Sequence, residues 1–179
     1  MTFVIIVLVV LLFVAFLLLR LVRRQHETVA SLDDLTARSQ AVDMEAFQNL
    51  VDPAETQFLR RSLPPVQFRI VHRERTLATV VYVRHIAHNA GLLIQLGQLA
   101  RSNPDPQLAQ AAQAMVERAL RVRMLSMMVL IKLYARTVIP ALPFAPDVIF
   151  RDYRNLTESA VLFTRLQRPA FAGRVSAML

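Results

Sequence analysis

The side chains best placed to do chemistry are His85 and His88, three residues apart in a stretch of helical periodicity, so both fall on one helix face. Two imidazoles at that spacing ligate a divalent metal when a carboxylate completes the set. Glu117, on the next periodic stretch, is the carboxylate that a helical hairpin would bring within about a turn of them. The set is thin. Metal-holding bundles repeat Glu-x-x-His on two helices and add further glutamates, whereas the two long periodic stretches here hold only Glu74 and Glu117. A solvated histidine pair, or one histidine bonded to Glu117, accounts for the same residues, and we expect neither a metal nor a cofactor.

Other chemistries find less. There is no cysteine, which removes disulfides, thiolate metal sites and cysteine nucleophiles, and three glycines cannot build a phosphate-cradling loop. No Ser, His and acid align into a triad, and paired carboxylates occur only in an acidic stretch where solvated charge explains them. The expectation is a chain that is not an enzyme.

Charge is the next signal. Residues 25–59 hold seven acids against Arg38, a net charge of −6, and from Arg60 onward seventeen bases face six acids, a net of +11. The arginine clusters around Arg60, Arg73 and Arg121 invite a nucleic-acid reading, but no exposed aromatic pattern interleaves them and a nearer polyanion is at hand. If the basic end of the body faces a membrane, Arg20, Arg23, Arg24, Arg69, Arg73 and Arg136 are the candidate contacts to anionic lipid, at about 1 kcal/mol each. An ordinary solvated or ion-paired face is the preferred reading of the clusters.

That membrane is implied by the first segment. Residues 2–19 carry no charge and are almost all Val, Ile, Leu or Phe, and with Leu21 and Val22 the run reaches the ~20 residues that span a bilayer as a helix. A cleaved signal peptide would place its bases before a shorter apolar core, but here Arg20, Arg23 and Arg24 follow it. Residues 1–24 are therefore expected to be a single-pass anchor with a basic flank, and the positive-inside rule puts the rest of the chain in the cytoplasm, as in a bacterial inner membrane.

The remainder reads as helix. A 55% hydrophobic composition with so little glycine suits long helices better than turn-rich sheets. Residues 25–51 read as an acidic polar linker. Asp52-Pro53-Ala54-Glu55 is a capping-box start for a helix over 53–62, which Pro64 and Pro65 stop. Over 66–101, Val80, Val83, Ala87, Ala90, Ile94 and Gly97 step by three and four, a coiled-coil-like seam of small residues. Asp105 and Pro106 restart the chain as a helix over 106–139, with a matching seam from Leu108 through Ala112, Met115 and Ala119 to Leu133. A short link forces the two into an antiparallel hairpin.

The second long helix carries another seam: Leu120, Met124, Met127, Ile131, Tyr134 and Val138. One partner helix cannot bury two faces. A C-terminal helix over 147–167, striped by Ile149, Tyr153, Leu156, Ala160 and Phe163, is one candidate cover; a protein partner, a second copy or lipid are the others. A second membrane span over 124–144 is disfavoured by Lys132, Arg136 and Pro140, since a central charge costs about 2.5–3.5 kcal/mol. The fold class expected is all-α: one N-terminal transmembrane helix, then a long antiparallel hairpin packed with shorter helices in a domain over 52–179. The function expected is that of a membrane-anchored helical interaction or scaffold protein that binds no nucleic acid, with a peripheral lipid-surface module and a metal-holding bundle as the alternatives.

Overall fold

The computed structural model describes residues 32–138 and 147–167, and the expected anchor at 1–24, with Arg20, Arg23 and Arg24, lies outside them. The described chain is all-helical. Six helices follow in order: α1 (Leu32–Arg38), α2 (Met44–Val51), α3 (Pro53–Ser62), α4 (Pro65–Ala100), α5 (Pro106–Val138) and α6 (Asp147–Gln167).

Their starts have local causes. Asp43 caps α2 by accepting from Ala46 N at 2.9 Å, and Asp52 caps α3 by accepting from Ala54 N at 2.9 Å, with Pro53 in the first turn where its missing N–H costs nothing. Pro65 opens α4 in the same way. After Ala100 the chain turns through Ser102 and Asn103, whose Oδ1 accepts from Asp105 N; Asp105 Oδ1 then accepts from Gln107 N at 2.9 Å and launches α5.

α4 is the axis of the assembly, and its three stripes have three different fates. The first, Val80, Val83, Ala90, Ile94 and Gly97, is buried against α5. Gly97 marks the tightest point: a Cβ there would lie 2.5 Å from Val116 Cγ2, 3.1 Å from Met115 Cε and 3.2 Å from the Ala112 carbonyl oxygen. Met115 can bend aside, but Val116 is held to one rotamer in a helix and the carbonyl is backbone. Gly97→Ala should therefore destabilise by roughly 1–2 kcal/mol net, even though alanine gains about 1 kcal/mol of helix propensity over glycine. A denaturant midpoint unchanged or raised by G97A would contradict this close approach.

The second stripe, Arg75, Tyr82 and Asn89 at seven-residue steps, receives the N-terminal helices. Arg75 Nη2 donates to the Asn49 and Leu50 carbonyls at 2.8 and 3.1 Å, closing the C-terminal end of α2, and to Glu55 Oε2 at 2.8 Å. That guanidinium holds the Glu55 carboxyl below its ordinary range. Phe47, 0% exposed, stacks on Tyr82 at 5.4 Å between ring centroids and tilts onto Phe150 at 4.6 Å. Asn89 binds both backbone groups of Gln40: its Nδ2 donates to the carbonyl at 2.7 Å and its Oδ1 accepts from the N–H at 2.9 Å.

The described part of 25–51 is thus not a linker, and that expectation is corrected. Leu35 and Phe47 enter the core, with Val42, Met44 and Val51 packed against it. The acids that make the segment look solvated lie between these residues, and apolar burial rather than charge decides where it sits.

α6 packs on α5 through Ile149, Tyr153, Leu156, Ala160 and Phe163, each at most 1% exposed. Arg118 of α5 fixes the contact by donating to the Asn155 carbonyl at 3.2 Å and to the Ser159 hydroxyl. By length and composition one helix among the described residues, α4, could cross a membrane, and 56% of its most apolar window is buried inside the protein.

Candidate interaction surface

The third stripe of α4 has no cover. Val66, Ile70, Leu77 and Val81 are 60, 58, 50 and 47% exposed. α5 repeats the pattern. Its inner seam from Leu108 to Leu133 is no more than 9% exposed among its apolar members, and Ser126 in that seam returns its hydroxyl to the Val122 carbonyl at 2.8 Å. Its second seam is open: Leu120, Met124 and Ile131 are 47, 63 and 40% exposed, and Met128, which the expected seam omitted, is 54% exposed. Met127 and Tyr134 are half-buried, and Val138 and Arg136 fall in the last turn of α5.

α6 leaves this seam uncovered, and the reason is angular. Arg118, which holds α6, and Leu120 are two residues apart and so project about 200° from one another. The C-terminal helix takes the flank of α5 that Arg118 marks, and the other flank stays open.

The open stripes of α4 and α5 lie on the same side of the pair. Arg84 Nη2 donates to Tyr134 Oη at 2.6 Å across that side. Arg84 is three residues beyond Val81 and Tyr134 three beyond Ile131, so both open stripes flank the bond. The two stripes therefore share one side of the pair, with the Arg84–Tyr134 bond between them. Arg69, Arg73 and Lys132 are exposed on the same two helices.

The histidine set does not assemble. His88 Nε2 donates to the Arg38 carbonyl at 3.0 Å, and Glu117 accepts from Gln113 at 3.1 Å within its own helix. Among the described residues no three His, Asp or Glu side chains come together to hold a metal.

Sequence reasoning passed over Asn89 and read Tyr153 only as a member of the apolar stripe of the C-terminal helix. Asn89 Nδ2 also donates to Tyr153 Oη at 3.1 Å, so one buried amide joins α4, α6 and the segment between α1 and α2. The signal that could have found it is a lone asparagine in a run of apolar residues, which needs partners wherever it is buried. Burial pushes the Tyr153 hydroxyl up to about 12, with the bond to Asn89 opposing. A phenol whose folded pKa lies above its unfolded value of 10.0 contributes stability that is whole below pH 10 and lost as pH rises towards 12. Thermal unfolding followed from pH 8 to 12 should show a loss of ~2–3 kcal/mol above pH 10 that Tyr153→Phe abolishes.

No known protein family, curated protein or solved structure matches the chain.

Proposed function

We propose that the protein is a non-catalytic interaction module held at a membrane by the apolar segment 2–22, and that the open face of the α4–α5 hairpin is its working surface. The observation that carries this reading is the contrast between the two seams of α5. One is buried along its length, whereas Leu120, Met124, Met128 and Ile131 stand 40–63% exposed. Large apolar side chains at four consecutive positions of a helical stripe form a patch of the kind that marks an interaction site. The segment 2–22 supports the membrane placement through its length and the absence of charge over residues 2–19. Arg20, Arg23 and Arg24 support an orientation with the helical domain on the cytoplasmic side.

The test uses the full chain expressed in bacteria and extracted in mild detergent. The protein should fractionate with membranes through high-salt and alkaline washes. Met124→Glu with Ile131→Glu should leave the unfolding midpoint within the equivalent of about 0.5 kcal/mol while changing what the protein binds or how it assembles. A wash that strips the protein from membranes would refute the anchor. A double variant that loses its fold would mean the face is core and not surface.

A further inference from the structure

We propose that the face formed by the outward stripes of α4 and α5 seats on an anionic lipid leaflet, with its apolar side chains in the headgroup boundary and its bases on lipid phosphates. This inference rests on the membrane placement proposed above and names the occupant of the face. Three observations carry it.

The first is the interleaving of the side chains. Along α4 the outward residues run Ile70, Arg73, Leu77, Val81, Arg84, and all five are exposed; on α5, the exposed Lys132 and Arg121 lie four residues after and seven before Met128, beside the edge of the open seam that it marks. Apolar residues alternating with cations on one face form the surface that lies in a membrane interface, where each long basic side chain carries its charge outward while its stem stays with the apolar layer.

The second is the polarity of the whole unit. Asp33, Asp34, Asp43, Glu45, Asp52 and Glu55 all lie on α1–α3 or at their caps, against the Arg75–Tyr82–Asn89 stripe of α4. The open stripe lies on another side of the same helix, so these six acids stand apart from it, and the two acids nearest the open stripes, Glu74 and Glu117, are outnumbered by Arg73, Arg84, Arg121 and Lys132. A negatively charged leaflet attracts one side and repels the other, and that difference orients the bundle.

The third concerns the rival occupants. A second copy meeting this face about a two-fold axis would set Arg73, Arg84 and Lys132 of one protomer into a field of the same sign from the other. A protein partner would have to bring an acid to each arginine that stands between the apolar residues, whereas an anionic leaflet presents phosphates along the whole face.

Because the chain has no cysteine, single nitroxide labels at Leu77→Cys and Met128→Cys, with Gln48→Cys on α2 as the control, report position without background. The labelled full chain is placed in lipid nanodiscs that are either wholly zwitterionic or about one-third anionic, and label collisions with oxygen and with a water-soluble nickel chelate are compared. In anionic discs the oxygen-to-nickel accessibility ratio at Leu77→Cys and Met128→Cys is expected to rise severalfold over the Gln48→Cys value, and to fall back when Arg73→Glu and Lys132→Glu are added. Labels that stay as nickel-accessible as the control overturn the seating and leave the anchor standing. Spin–spin broadening in both lipids that dilution with unlabelled chain removes identifies a second copy, and also overturns it. A chain that fails to enter zwitterionic discs breaks the anchor reading instead; the ratio measured on anionic vesicles then decides the face alone, a severalfold rise sustaining it and no rise overturning it.

Discussion

Phe47→Ala is expected to destabilise the folded domain by about 3–5 kcal/mol, the range for truncating a fully buried aromatic in a packed core. Phe47 is 0% exposed and touches rings from two other helices, Tyr82 of α4 and Phe150 of α6. Removing the ring opens a cavity bounded by helices that are themselves pinned: α2 by Arg75 on the Asn49 and Leu50 carbonyls, and α6 by Arg118 on Asn155. Neither can slide inward to refill the space, which places the cost at the upper part of the range. Urea unfolding of the full chain in mild detergent, followed by helical circular dichroism, measures it. A shift below the equivalent of about 1 kcal/mol would mean that residues 32–51 ride on the bundle without belonging to it, which is the linker reading that the acidity of this segment suggests.

That linker reading shows where sequence reasoning ran out. The helix starts at Pro53 and Pro106 were legible because one residue type at one position does the work: an Asp before a Pro accepts the orphan N–H groups of the first turn. The α4–α5 seam was legible for a similar reason, since small residues at steps of three and four have one efficient use. α1 and α2 were not legible. They are seven and eight residues long, too short for periodicity to declare itself, and their apolar residues are scattered among Asp33, Asp34, Asp43 and Glu45. Only the partner surface on α4 gives Leu35 and Phe47 somewhere to go. The open face divides in the same way. Its half on α5 could be read as an extra seam, but its half on α4, Val66 to Val81, could not, because the arginines between its members hide the stripe. Which flank α6 would take was equally hidden, since it depends on where Arg118 finds Asn155 and Ser159.

The second large effect concerns Asn89, and here the expected result separates a hydrogen-bonding role from simple packing. Asn89→Leu keeps the branched shape of the side chain and removes three hydrogen bonds, to the Gln40 carbonyl, the Gln40 N–H and the Tyr153 hydroxyl. Among the described residues no buried side-chain nitrogen or oxygen is without a partner, so the substitution introduces a defect the native fold lacks. At roughly 1 kcal/mol for each bond, plus the desolvation of a phenol left unpaired, the loss should be about 3–4 kcal/mol. The two components separate in a double-mutant cycle. Tyr153→Phe alone leaves Asn89 with its two bonds to Gln40 and should cost about 1 kcal/mol, but in the Asn89→Leu background it removes an orphaned hydroxyl and should be neutral or stabilising. Additive losses would mean that the Asn89–Tyr153 bond contributes nothing. Amide exchange locates the rest of the effect: the N–H of Gln40 should lose protection in Asn89→Leu while those along the α4–α5 seam keep theirs, because Asn89 fastens the backbone between α1 and α2 to the bundle.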